Sequence, residues 1–166
     1  MPCTINDYCD VLARSRELNL NEPTGIALLP RNFTDAGANA DLLHEASVQT
    51  IRSLFRQNKI VETPIEKAGQ KIPVILENDS SLILPILFVS ASIYSQNPQL
   101  VSIALNIMSN YATDFFKGIR GRKTVKLTVV VQNKNGNSNK RISYEGTQDG
   151  LKEIAEIAGK VFRDEK

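Results

Sequence analysis

The sequence predicts an α+β fold in one domain over residues 1–166, with an antiparallel sheet and a C-terminal β-hairpin packed by helices. Three observations support this prediction. The 34 residues of Ser80–Thr113 carry no charge, although charged residues make up 23% of the chain. Apolar and polar residues alternate over Val125–Gln132, which indicates a strand with one buried face. A turn and a second alternating segment follow, as in an antiparallel hairpin.

The N-terminal part predicts a short helix and then a strand. Thr4 is placed to cap the helix, because its hydroxyl can accept a hydrogen bond from the first turn. The apolar face of this helix would be Ile5, Cys9 and Leu12. Ile26–Leu29 is an apolar run that ends at Pro30, which indicates a short strand.

The middle of the chain predicts a helix, a strand and one undecided segment. Residues 41–58 predict a helix, because one stripe recurs at helical spacing. That stripe is Leu43, Ser47, Ile51, Leu54 and Phe55. Lys71–Leu76 predicts a strand, and Pro73 places it at an edge or marks its beginning. Leu82–Tyr94 fits a buried strand or a buried helix, and Pro85 favours a helix that begins near it.

The helical pattern is strongest near residues 99–117, where we expect a long buried helix. Apolar residues recur there one turn apart, namely Leu100, Ala104, Ile107, Met108, Tyr111 and Phe115. Gly118 suits the C-terminal cap. In the hairpin that follows, Lys140–Glu145 returns after a turn at Asn135-Gly136. Thr147 or Asp149 then caps a last helix.

Composition restricts the functional classes. A net charge of +2 does not by itself imply a partner. Cys3, Cys9 and His44 are the chain's complete set of Cys and His residues, fewer than the four ligands of a structural zinc site. We therefore expect neither a metal nor a cofactor. Two cysteines form no disulfide framework, and the N-terminus lacks a basic and apolar leader, so we expect a cytoplasmic protein.

Catalytic signatures are missing from the sequence. His44-Glu45 lacks the second histidine of a zinc-protease motif. Ser80-Ser81 lacks the glycines that flank a nucleophilic serine on a strand-to-helix turn. Phosphate-binding and dinucleotide-binding loops are missing as well. The sequence therefore predicts no catalytic residues and favours a non-enzymatic protein, with an uncharacterised enzyme as a further alternative.

The least apolar face of the helix near 99–117 is the first candidate site. Its residues are Ser102, Asn106, Ser109, Asn110 and Thr113. Solvent-facing helices normally carry Lys and Glu, so neutral side chains indicate a face covered by another surface. That surface could be the same chain, a partner or a lipid. We predict a homo-oligomer or protein partner without a spanning segment, because the longest apolar run is shorter than the about 20 residues that crossing requires.

The basic segment 117–141 is the second candidate site, with eight positive residues and no acidic one. The candidates for anion binding are Arg120, Arg122, Lys123, Lys126, Lys140 and Arg141. Such residues can neutralise phosphates, so a nucleic-acid-binding protein is the alternative function. No aromatic residue is interleaved with them to stack on bases. The other interpretations are an acidic protein or lipid headgroup as the ligand, and a hairpin that uses lysine for solubility and to protect an exposed edge.

Two segments resemble uncharacterised small bacterial α+β proteins. One is Ala104–Gly118, followed by a hairpin with Tyr144-Glu-Gly, and the other is His44–Arg52. The resemblance implies a bacterial cytoplasmic setting and an accessory role in conflict systems that act against phage. It carries no catalytic residues. The sequence as a whole predicts an interaction or assembly module that associates through its uncharged helix.

Overall fold

The computed structural model describes residues 3–75, 81–118, 124–136 and 138–163. The strands in these ranges are β1 (Cys3–Tyr8), β2 (Ile26–Leu29), β3 (Ser81–Ile83), β4 (Ile86–Val89), β5 (Thr124–Gln132) and β6 (Asn139–Gly146). The α-helices are α1 (Val11–Glu17), α2 (Val48–Gln57), α3 (Ala91–Gln96), α4 (Pro98–Phe115) and α5 (Ile154–Phe162). Short 3-10 helices span Asn39–Asp41 and Gln148–Glu153.

The six strands form one mixed sheet in the order β1-β6-β5-β4-β2, with β3 also paired to β5. The predicted α+β class and the hairpin are confirmed, with Val125 opposite Gly146 and Gln132 opposite Asn139. The expectation of a purely antiparallel sheet is wrong, because β5 runs parallel to β3 and β4. The reason is the connection from β4 to β5 through α3 and α4, since a helical crossover returns the chain in its original direction.

The predicted long helix is confirmed as α4. Asn97 caps it by accepting a hydrogen bond from the Leu100 N–H at 3.3 Å, and Pro98 occupies the first turn, where a missing N–H costs nothing. Its buried residues are Val101, Ala104, Leu105, Met108 and Ala112. The helix is therefore buried along one stripe and not all round.

The predicted first helix is wrong. Thr4 lies in β1, which pairs with β6 from Cys3 opposite Tyr144 to Tyr8 opposite Asn139. The helix begins later, where Asp10 accepts a hydrogen bond from the Ala13 N–H at 3.2 Å. The hairpin offers a free edge for pairing, and this long-range contact overrides a local capping signal.

The predicted helix over residues 41–58 is reduced to α2. The side chain of Asn32 holds the preceding segment outside the helix, since it accepts from the Leu43 N–H at 2.9 Å and donates to the Asp41 carbonyl at 2.8 Å. The predicted strand over residues 71–76 is reduced to one bridge between Val74 and His44, and residue 76 lies outside the described residues.

The undecided segment 82–94 contains both structures. The helix that Pro85 favoured near its own position is wrong, because Pro85 separates β3 from β4. Ser90 follows β4 and caps α3 by accepting from the Ile93 N–H at 3.3 Å. The predicted last helix is confirmed as α5, but the predicted cap is wrong. Thr147 and Asp149 lie at the start of the 3-10 turn that precedes the helix, and α5 follows Glu153 without a capping side chain.

Two apolar clusters cover the two faces of the sheet. The larger cluster joins one face to α2, α3, α4 and α5, with Leu87, Val129 and Ile142 among its buried strand residues. The smaller one joins the other face to α1 and the loops around Phe33 and Ile65. α4 lies within the larger layer, in contact with α2, α3 and α5, which fixes the face that it presents outward.

Candidate functional site

The outer face of α4 is open to solvent. Ser102, Asn106, Asn110 and Thr113 are exposed, and Ser109 is half-buried. The described part of the chain therefore does not cover this face. Within the described residues, its neutral side chains are left without the cover that the sequence suggested.

One large apolar side chain, Ile103, borders this outer surface and is 45% exposed, although such side chains usually lie inside a fold. Phe115 is 39% exposed, but it continues the buried stripe of Ala104 and Met108 at the end of the helix. Asp114 is the charged residue of α4, and it pairs with Lys117 at 3.7 Å beyond the end of the helix. Mixed apolar and neutral polar side chains without charge are typical of the centre of protein–protein contacts.

The lipid alternative for this helix receives no support from its dimensions. Among the described residues, none of the helices combines the length and the apolar character needed to cross a bilayer.

The basic segment is only partly described. Arg120, Arg122 and Lys123 lie outside the described residues. Lys126 lies 3.9 Å from the Glu145 carboxylate, and Lys140 pairs with the carboxylate of Asp7. These acidic neighbours reduce the positive charge that a polyanion would meet.

The described basic residues are also separated in space. Lys126 lies opposite Glu145, whereas Arg141 lies opposite Val130, four residues further along β5. That separation is about 13 Å at the rise of a strand. Lys140 is next to Arg141 in β6 and so points to the other face of the sheet. The structure does not bring these three residues into one patch, and nucleic-acid binding remains a prediction.

A cluster of charged residues that sequence reasoning missed surrounds Arg52 of α2. The Arg52 Nη2 donates to both Glu66 oxygens at 2.9 Å, and its Nε donates to Glu62 at 3.1 and 3.2 Å. All three side chains are largely buried: Arg52 is 15% exposed, Glu66 10% and Glu62 13%. The partners are 10 and 14 positions apart in sequence, so only the fold brings them together.

His44 extends this charged cluster inward. Its Nε2 lies 2.6 Å from a Glu66 oxygen, and the side chain is 1% exposed. Its Nδ1 is buried and makes no hydrogen bond to any residue that the structure describes.

The charged cluster shifts the pKa values of its members. Burial alone would raise the pKa of Glu66, but hydrogen bonds from His44 and Arg52 and the charge of Arg52 outweigh it and lower that pKa to about 2. Burial raises the pKa of Glu62, although Arg52 opposes the shift. Burial lowers the pKa of Arg52, and the two carboxylates outweigh this effect and raise it.

The charged cluster also shields the outer edge of β2. The Leu28 backbone hydrogen-bonds to the Glu62 carboxylate. Glu62 itself forms a bridge with Ile26, and the Thr63 N–H donates to the Ile26 carbonyl at 2.7 Å. A cavity of about 470 Å³ lies beside Arg52 and Glu62, over Phe55. Both carboxylates pair with Arg52, and Glu62 also bonds to the β2 backbone, so we interpret the cluster as a support of the sheet edge.

The low pKa of Glu66 predicts a specific acid response. Its folded pKa of about 2 lies below the unfolded value of about 4.3, so its contribution to stability is complete above pH 4.3 and disappears as the pH falls through 2. We expect the parent to be more stable than Glu66→Gln by about 3 kcal/mol at pH 6 and the two to converge near pH 2. Urea unfolding between pH 2 and 6 measures this difference.

The matched control is Glu22→Gln, because Glu22 pairs with Arg16 at the surface, where 40% of its side chain is exposed. That variant should follow the parent at every pH. A constant difference between the parent and Glu66→Gln across this range would contradict the assignment.

Comparison of the chain with protein-family models, curated proteins and solved structures yields no match.

Proposed function

We propose that this protein is a non-enzymatic assembly module in which the outer face of α4 packs against α4 of a second copy. The observation that supports the proposal is the character of this face. Over 18 residues its exposed positions are neutral or apolar until Asp114 in the last turn, while α2 and α5 carry charges on their outer faces. An exposed helix of this composition loses little on desolvation, because no charge has to leave water.

A second copy suits this face better than a charged partner. Amide and hydroxyl groups both donate and accept hydrogen bonds, so a face built from Asn and Ser is complementary to itself. A face of Lys and Glu would instead require a partner of opposite pattern. The lack of charge also removes repulsion between identical copies.

The spacing along α4 fits an antiparallel pair with a two-fold axis at Asn106. This arrangement sets Ile103 opposite Ser109 of the second copy, where a small side chain leaves room for a large one. It also sets Ser102 opposite Asn110, which allows hydrogen bonds on both sides of the axis. Each of these two pairs occurs twice, once on each side of the axis, as a two-fold interface requires.

The size of the helix limits the strength of the contact. Eighteen residues span about 27 Å at 1.5 Å per residue, and a helix is about 10 Å wide. The footprint of about 270 Å² is well below the about 800 Å² per partner of a standard interface. We therefore expect an association that depends on protein concentration, unless another surface reinforces it.

The test is Asn106→Lys, which places two like charges at the proposed two-fold axis. We expect the dissociation constant measured by sedimentation equilibrium to rise at least about tenfold, because facing like charges cost several kcal/mol. Gln57→Lys is the matched control, since Gln57 is an exposed neutral residue on α2. A parent that stays monomeric at every concentration, or an association that Asn106→Lys leaves unchanged, would refute the proposal.

An accessory role in bacterial conflict systems, in the cytoplasm, is a narrower form of the same proposal. Its support is the sequence resemblance alone. Reconstitution with proteins encoded beside the gene would test it, and the Asn106→Lys variant would report whether the α4 face is required.

A further inference from the structure

The two edges of the sheet differ in how far other parts of the chain cover them. The outer edge of β2 is covered, because Glu62 and Thr63 bond to its backbone and the Arg31 N–H donates to the Leu43 carbonyl beyond it. At the other end of the sheet, β1 pairs with β6 on its inner side. The described residues supply no strand for its outer side.

β1 also lacks the usual protection of an exposed edge. Natural edge strands carry Pro, Lys or inward-pointing charges that prevent pairing with other chains. Cys3–Tyr8 contains neither Pro nor Lys, and its single charge, Asp7, pairs with Lys140 of the neighbouring strand. The four central residues are exposed, and Ile5 is 52% exposed. As far as the described residues show, this edge therefore offers backbone groups without a strand partner together with an apolar side chain.

We propose that β1 pairs in antiparallel fashion with β1 of a second copy about a two-fold axis at Ile5, which joins two six-stranded sheets into one. The occupant is a second copy because the strand is complementary to itself in this arrangement. The inference does not depend on the α4 contact, since the two surfaces belong to different layers of the fold.

Strand geometry restricts the possible registers. Alternate residues direct their backbone groups to opposite edges of a strand. In an antiparallel pair related by a two-fold axis, odd-numbered residues therefore lie opposite odd-numbered residues, and even-numbered opposite even-numbered. The axis must then pass beside one residue, and axes at Ile5 or Asn6 pair the most residues. An axis at Ile5 sets Thr4 opposite Asn6 and Cys3 opposite Asp7. An axis at Asn6 sets Ile5 opposite Asp7, which places a carboxylate against an apolar side chain.

The register at Ile5 completes an apolar row. Ile5 lies directly opposite Ile142 of β6, on the face of the sheet that the helices cover. Two copies would therefore align four isoleucines across the joined sheets, and the exposed half of each Ile5 would be buried. Apolar cross-strand neighbours of this kind stabilise pairing, and like charges do not meet anywhere along Cys3–Tyr8.

The first test is Ile5→Lys, compared with Val61→Lys as a matched control, because Val61 is 76% exposed at a site away from β1. Ile5→Lys should raise the dissociation constant of the β1-linked dimer at least about a hundredfold, since two lysines would meet on the axis. Val61→Lys should leave it unchanged. Circular dichroism confirms that both variants fold. An assembly that Ile5→Lys does not weaken would overturn the inference.

The second test uses Ile5→Cys, which places two thiols on the axis. Mild oxidation should link two chains through position 5, and peptide mass spectrometry distinguishes this link from one through Cys3 or Cys9. Asn6→Cys is the control, because the register at Ile5 sets it opposite Thr4. Linkage through position 6 instead of position 5 would overturn the register.

Combining the variants separates this inference from the α4 proposal. If both contacts form, the parent assembles beyond a dimer, Ile5→Lys and Asn106→Lys each leave dimers, and the double variant is a monomer. If Ile5→Lys alone produces monomers, the β1 contact stands and the α4 proposal fails. If Asn106→Lys alone produces monomers, the α4 proposal stands and the β1 inference fails.

Discussion

Replacing Arg52 with Met should lower the free energy of unfolding by about 3–5 kcal/mol, the usual cost of breaking a buried ion pair. Arg52 donates to Glu62 and Glu66, and all three side chains are at most 15% exposed. Met fills a similar space, but it leaves two carboxylates without a cation in a poorly hydrated site. Urea unfolding at pH 7 measures the loss.

The control for this prediction is Arg16→Met. Arg16 also pairs with a glutamate, Glu22, but its side chain is 64% exposed, so we expect a loss of about 0–1 kcal/mol. The triple variant Arg52→Met/Glu66→Gln/Glu62→Gln removes all three charges and keeps acceptors for Leu28 and His44. It should be more stable than Arg52→Met alone, because no buried charge is left unpaired. Equal losses for Arg52→Met and Arg16→Met would show that the cluster does not support the fold.

Local patterns were sufficient to predict the parts of the fold whose stabilising contacts are close in sequence. The sequence predicted the α4 stripe and the β5–β6 hairpin with its turn at Asn135-Gly136. This was possible because helical spacing, alternation and turn chemistry act over a few residues. The parallel pairing of β5 with β4 was not predicted. It depends on the course of the chain through α3 and α4, which no local pattern records.

Long-range contacts explain the errors in the first half of the chain. Thr4 carries a local capping signal, yet its strand pairs with residue 143, far along the sequence. His44 and Arg52 meet through Glu66, which sequence reasoning had no basis to connect with either of them. Charged side chains that pair in a buried site cannot be distinguished from solvated ones by composition.

The outer face of α4 shows a different limit of prediction from sequence. The sequence shows that Ser102, Asn106 and Asn110 carry no charge. That composition is compatible with a face covered by the chain itself and equally with a face left open for a partner. The three-dimensional arrangement shows that the described chain leaves the face exposed, and a partner for it is a proposal. The edge of β1 was hidden by the helix prediction for that segment, although its lack of Lys and Pro was visible in the sequence.

Gly150→Ala should lower the free energy of unfolding by about 1–3 kcal/mol, the usual cost of overpacking. The Tyr144 hydroxyl donates to the Thr147 carbonyl at 2.6 Å, which holds the ring over the turn into α5. A Cβ at position 150 would overlap the Tyr144 hydroxyl oxygen and lie 2.7 Å from its Cζ, so the ring or the turn must move.

Gly37→Ala is the matched control, because its added Cβ would lie 3.5 Å from Asp41, an ordinary contact. Urea unfolding should show little loss for this variant. The steric origin is tested by repeating Gly150→Ala in a Tyr144→Leu background, where the clash is absent and the additional loss should nearly vanish. If Gly150→Ala costs the same in both backgrounds, the ring is not the cause, and the role of Gly150 lies in its backbone.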